Sequence, residues 1–114
     1  MPDPADALRA QIRALQAQRR SLESKLMQPQ SMLPASLIER FLRAGGSSRG
    51  APAYYLSHSQ QGRSKLTYVK KEDLPVTRQH CVAYRAFQQN LTEWRRVTAA
   101  LQQCWKQLQR AQSR

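Results

Sequence analysis

The sequence predicts an α+β fold, mostly α, in which two long heptad-patterned helices flank a small three-stranded antiparallel sheet. Three observations carry the prediction. Apolar residues recur at intervals of three and four toward both ends of the chain, the middle holds short runs rich in aromatic and β-branched residues next to glycine-containing turns, and prolines stand at the joints between them. At 114 residues the chain is read as a single domain, 1–114, too small to enclose a large active site.

The first helix is expected over residues 4–28. Its apolar positions are Leu8, Ile12, Leu15, Leu22 and Leu26, a heptad seam interrupted only by Arg19 at one a position. Asp3 followed by Pro4 marks its start, and the interior is rich in Ala, Gln, Arg and Leu, which lose little freedom in a helix. A stripe this narrow cannot bury itself in a globular core and calls for a partner helix. Pro29 and Pro34 bracket a linker that ends it.

Residues 36–71 form a basic segment. Ala53 to Ser59 and Ser64 to Lys70 are strand-like, with Gln60, Gln61, Gly62 and Arg63 as the turn between them. The stretch 36–43 fits two patterns: Leu37, Ile38, Phe41 and Leu42 match a short amphipathic helix, and the same residues alternate as a strand. Local propensity leans to helix. A third strand, however, would relieve the two runs of being an isolated hairpin, which is marginal in water. A glycine loop over 44–52 holds three of the chain's four glycines.

The second helix is expected over residues 74–111, with Asp73 as its cap and Pro75 in its first turn. Tyr84, Leu91, Thr98 and Trp105 fall at a, and Phe87, Trp94, Leu101 and Leu108 at d, after His80 one heptad earlier. Aromatic residues this wide do not fit easily at the a and d positions of a two-stranded seam, which points to more than two helices and to a homo-oligomer. Cys81 and Cys104 lie on this one helix, ~35 Å apart at 1.5 Å per residue, so they cannot bridge within a chain. Two free thiols fit a reducing cytoplasm.

Charge narrows the function. Nineteen Lys and Arg face seven Asp and Glu, for a formal net charge of +12, which attracts polyanions. No apolar run approaches a membrane span, and the N-terminus lacks the pattern of a signal peptide. Between Glu39 and Glu72 there is no carboxylate, while Arg40, Arg43, Arg49, Arg63, Lys65, Lys70 and Lys71 have Tyr54, Tyr55, His58 and Tyr68 among them. Cations beside flat π surfaces suit phosphates with bases or sugars. Arg78, Arg85 and Lys106 at b, and Arg96 and Arg110 at f, extend the charge along the second helix, as Arg13 and Arg20 do along the first. By alternation only one of Tyr54 and Tyr55 can lie on an exposed sheet face.

The residues Leu33-Pro34-Ala35-Ser36-Leu37-Ile38-Glu39-Arg40-Phe41, Ala53-Tyr54-Tyr55-Leu56-Ser57, the Gly62 turn and Tyr68-Val69-Lys70-Lys71-Glu72 carry a resemblance. Over about residues 32–110 the chain resembles a family of small basic bacterial proteins of unassigned function, often encoded near transposases and other mobile elements. The resemblance implies a three-stranded meander and so makes 36–43 a strand. It also leads one to expect a cysteine knuckle where this chain has Arg43 to Gly50 without a cysteine. A zinc site needs about four closely spaced Cys or His ligands, and His58, His80, Cys81 and Cys104 do not supply one. No metal or other cofactor is expected.

No phosphate-binding glycine loop, nucleophile elbow or His-Glu helix motif is present, and the seven carboxylates are scattered, so no enzymatic activity is expected. The expectation is a non-catalytic nucleic-acid-binding accessory protein, RNA ahead of DNA, in a mobile-element or defence-type nucleoprotein complex with a protein partner. The alternative is a coiled-coil adaptor or oligomerisation module whose charge serves solubility or an acidic partner. The candidate nucleic-acid contacts are Arg43, Arg49, Tyr54, Tyr55, Arg63, Lys65, Tyr68, Lys70, Lys71, Arg78 and Arg85. Assembly falls to Leu8, Ile12, Leu15, Leu22, Leu26, Tyr84, Phe87, Leu91, Trp94, Leu101, Trp105 and Leu108.

Overall fold

A computed structural model of the chain describes residues 3–44 and 48–112, the side chains of residues 42–51 excepted. The element order is α1 (Pro4–Leu26), β1 (Ser36–Ala44), β2 (Ser48–Gln60), β3 (Arg63–Val69) and α2 (Leu74–Gln112). The helices, of 23 and 39 residues, outweigh strands of 9, 13 and 7, so the fold is mostly helical with a three-stranded antiparallel sheet. Two compact units divide it, Met1–Pro29 with Phe87–Arg114, and Gln30–Ala86; the division falls within α2.

The first unit is an antiparallel helix pair. Asp3 caps α1, its carboxylate accepting from the Ala5 N–H at 3.1 Å, and Pro4 takes the first helical position, where its missing donor costs nothing. From there Ala5, Ile12 and Leu22 are buried, with Leu8 and Leu15 packed beside them, a stripe that begins at Ala5. On α2 the buried residues are Val97, Leu101, Cys104 and Leu108, with Trp94 partly buried. Here the stripe departs from the expected frame. Trp94, Leu101 and Leu108 keep their places, whereas Val97 and Cys104 replace Thr98 and Trp105, and Trp105 is 52% exposed. At Trp105 volume explains the shift, since the small Cys104 lets two helices approach where an indole would hold them apart; Val97 and Thr98 are nearly equal in volume, and there the apolar side chain takes the buried place.

Arg19, the break in the α1 seam, turns out to be paired. Its Nε donates to Glu23 Oε1 at 3.0 Å, and its guanidinium lies over the Trp94 ring at 5.9 Å. The same Glu23 oxygen accepts the Trp94 indole N–H at 3.0 Å, and Gln18 reaches Glu93 at 3.4 Å. These bonds hold the last turns of α1 beside residues 93–94, while Asp3 and Pro4 lie by Gln107 and Arg110 at the other end, which fixes the antiparallel sense. The indole bond, opposed by desolvation and aided by the Arg19 charge, holds the Glu23 carboxyl below its ordinary range.

The second unit holds the meander. β1 pairs with β2 from Ser36↔Ser57 to Ala44↔Ser48, and β2 with β3 from Tyr54↔Val69 to Gln60↔Arg63. The β1–β2 register shifts between Phe41 and Arg43, next to Phe41↔Pro52, where proline cannot donate to the ladder. Gln61 (φ 52°) and Gly62 (φ 78°) form a two-residue turn with both φ values positive, the turn whose twist matches paired strands. Among the described residues of this unit Val69 is the one buried side chain. The linker before β1 is tied to α2 by the Leu33 N–H donating to the His80 carbonyl at 3.1 Å.

Three outcomes are expected. Leu101→Ala removes a buried side chain from the helix pair and lowers stability by ~2–5 kcal/mol in denaturant unfolding. Gly62→Ala meets no atom within 4 Å, so only the left-handed backbone resists it, and a loss of ~1–2 kcal/mol is expected from the same measurement. Because folding lowers the Glu23 pKa, its stabilisation is present above the ordinary carboxylate range and is lost as pH falls through the lowered value. Glu23→Gln is therefore less stable at neutral pH and shows a shallower acid-side decline in melting temperature than the parent.

Candidate nucleic-acid interface

Strand alternation sorts the candidate side chains onto two faces. Tyr54 lies opposite Val69 and Glu39, and the same face carries Leu56, His58, Lys65 and Arg63 by register. Arg78, on the first turns of α2, places its guanidinium over the Tyr54 ring at 5.7 Å. Tyr54, half-buried there, is a packing residue. Tyr55 lies on the other face, directly opposite Tyr68, and the two rings meet edge to face with centroids 5.7 Å apart at 68°. Arg40 reaches over the Tyr55 ring at 6.0 Å.

This second face is open. Tyr68 is 60% exposed and Leu66 is 42% exposed, while Ile38, opposite Tyr55, is half-buried. Ser57 and Ser64 join across the strands through their hydroxyls at 3.4 Å. By register, the described residues of this face include Arg40 and no carboxylate, since Glu39 points to the other side. The face can therefore offer an aromatic plane held at a fixed angle, a cation and two hydroxyls.

The structure thus brings together Tyr55 and Tyr68 but separates them from Arg63 and Lys65, which share the Tyr54 face near the turn and are exposed. Lys70 and Lys71 are exposed in the connection after β3. Arg85 is exposed on α2 beside Cys81, whose thiol burial pushes up while the arginine pulls it partly back. Arg43 and Arg49 pair through their backbones, and their side chains lie outside the described residues, as do Gly45 to Ser47 of the glycine loop. Arg40 is the contact that composition alone did not single out. Its signal lies in the β1–β2 register, which sets Ile38 against Tyr55 and so brings Arg40 diagonally beside that ring.

Of the assembly candidates, Tyr84, Phe87 and Leu91 are half-buried along α2 and Leu26 is half-buried at the end of α1. Both cysteines are free thiols. Among the described residues no three His, Cys, Asp or Glu side chains gather as a metal site, and no helix is long and apolar enough to cross a membrane.

No curated protein and no solved structure matches the chain. A family match covers residues 12–79, from the middle of α1 through the whole sheet to the first turns of α2, and on that span, more than half of its length, the chain belongs to the family described as Domain of unknown function (DUF6788).

Proposed function

We propose that the chain is a non-catalytic nucleic-acid-binding accessory protein, taking RNA ahead of DNA, that works in the cytoplasm within a mobile-element or defence-type nucleoprotein complex. The observation that carries this reading is the carboxylate-free run from Arg40 to Lys71, whose described strands form a sheet with an open aromatic face and exposed Arg63, Lys65, Lys70 and Lys71 around it. Clustered cations neutralise phosphates and release counterions, and exposed tyrosines accept bases or sugars. RNA is favoured because its loops and bulges expose bases, while its narrow major groove leaves shape to be read. In this reading Arg78 and Arg85 extend the phosphate track along α2.

A second reading, a protein–protein adaptor or homo-oligomerisation module, is favoured by the flank of the helix pair. A groove of about 450 Å³ there is lined by Gln16, Arg19, Arg20, Thr98 and half-exposed Trp105. An indole left this open is a natural anchor for a further helix. Both readings fit one protein that uses the helices for assembly and the sheet for nucleic acid.

Salt separates them. If about five phosphates are neutralised, log K for a duplex falls against log salt with a slope of about −4 to −5. Replacing Lys70 and Lys71 together by alanine should make that slope shallower by about two, with the mass in solution unchanged. Binding that is indifferent to salt, or absent at low salt for both RNA and DNA, sinks the nucleic-acid reading; a stoichiometric partner recovered from nuclease-treated lysate then favours the adaptor.

A further inference from the structure

Duplexes and unpaired strands present different surfaces to a basic sheet. We infer that the open face of the meander is a base-stacking platform for unpaired nucleotides, in which Tyr68 is the stacking residue, Tyr55 positions it and Arg40 takes the adjoining phosphate. This inference rests on the nucleic-acid reading and deepens it. Four observations converge on that face.

Tyr68 presents 60% of its surface to solvent, so its ring is open to a planar ligand without any rearrangement of the sheet. Its angle is set: the Tyr55 ring meets it edge to face at 5.7 Å from the directly opposite position on β2, which limits ring rotation before a ligand arrives. One side of Tyr55 is covered by Arg40 at 6.0 Å, which leaves Tyr68 as the more available plane and sets a guanidinium on the same sheet face, across Tyr55. Finally, Leu66 is 42% exposed on the same face, Ser57 and Ser64 lie beyond it, and the described residues there include no carboxylate to repel a phosphate.

A duplex does not match this chemistry. Its base planes are covered by their neighbours in the stack, so an exposed phenol ring meets only the sugar–phosphate surface and gains little. An unpaired base offers both faces, and stacking on an aromatic is tolerant of sequence because every base has a π surface. The cations near the turn, Arg63 and Lys65, lie on the opposite face of β3 and contribute attraction to either form. Single strands and unpaired loops therefore gain from Tyr68 in a way that duplexes do not. A docked protein helix would also favour an apolar, aromatic face, but it offers no exposed π plane to stack on Tyr68 unless it is itself aromatic, whereas every base does.

The test uses the full chain and fluorescein-labelled 20-nucleotide RNA, either of mixed unstructured sequence or annealed to its complement, with binding read by anisotropy at fixed salt. Tyr68→Ala is expected to weaken binding of the single strand by roughly 5- to 150-fold, the loss expected for one stacked base. Duplex binding should change less than about twofold, and the salt slopes should stay as they are, because no phosphate contact is removed. Tyr68→Phe and Tyr68→Trp should retain single-strand binding. Arg40→Gln should weaken it and make the slope shallower by about 0.7, the share of one phosphate on a single strand.

Circular dichroism checks that each variant is folded. Should Tyr68→Ala lose structure, Tyr68→Leu keeps apolar bulk without a π plane and is expected to lose single-strand affinity in the same way. Equal losses on single strand and duplex, or no loss from either non-aromatic variant while the parent binds RNA, overturn the platform and leave the nucleic-acid reading standing. Failure of the parent to bind either form at low salt overturns both.

Discussion

The ring pair at the centre of the candidate interface follows from one two-residue turn. With Gln61 and Gly62 both at positive φ, β2 and β3 can pair in only one register, Gln60 against Arg63. Counting back from that turn puts Tyr55 opposite Tyr68 and Tyr54 opposite Val69. A slip of one residue would send the β3 side chains to the other face, setting Tyr68 where Val69 is buried and parting it from Tyr55, while Arg40 is held at Tyr55 by the separate β1–β2 register. The glycine at the turn is thus tied to a ring pair several residues away, although neither touches the other.

The helix pair has its own anchor in the cluster of Arg19, Glu23 and Trp94. An arginine in an apolar seam would ordinarily be a defect, and a tryptophan would ordinarily be too wide for a two-helix contact. Here each resolves the other. The guanidinium caps the indole face, Glu23 takes the N–H groups of both, and the whole arrangement sits at the rim where the charged groups keep access to water. Beyond that rim the seam is built from smaller residues, Val97 and Cys104, which permit close approach.

These two anchors also explain what was readable in the sequence. Apolar period and turn chemistry are local, so the α1 seam, the 60–63 turn, the start at Asp3 and the extent of α2 could be read directly. The strand nature of 36–43 could not, because Leu37, Ile38, Phe41 and Leu42 satisfy either period and only pairing with β2 decides between them. The heptad frame of α2 was half legible: d positions are the same whichever neighbour flanks them, whereas the choice between Thr98 and Val97, or Trp105 and Cys104, depends on how near the partner helix comes. Alternation revealed that Tyr54 and Tyr55 part company but not which faces solvent. Arg40 was a member of a basic run until register placed it beside a ring.

Charge links the two anchors. The few carboxylates are heavily engaged in structure: Asp3 caps α1, Asp6 pairs with Arg9, Glu23 holds Arg19 and Trp94, and Glu93 holds Arg96 and Gln18. The ion pairs among the described residues thus involve Arg9, Arg19 and Arg96, a small part of the nineteen basic side chains, and all of them belong to the helix pair. Among the described residues of the sheet unit no such ion pair joins its cations to Glu39, Glu72 or Asp73, and the described part of its core buries only Val69. Self-repulsion among those cations works against the compact sheet, and a bound polyanion removes it. On the proposed function, the feature that makes the sheet unit weak alone is the one that makes it receptive: the ligand supplies negative charge to a unit whose own carboxylates, Glu39, Glu72 and Asp73, are outnumbered by its Lys and Arg.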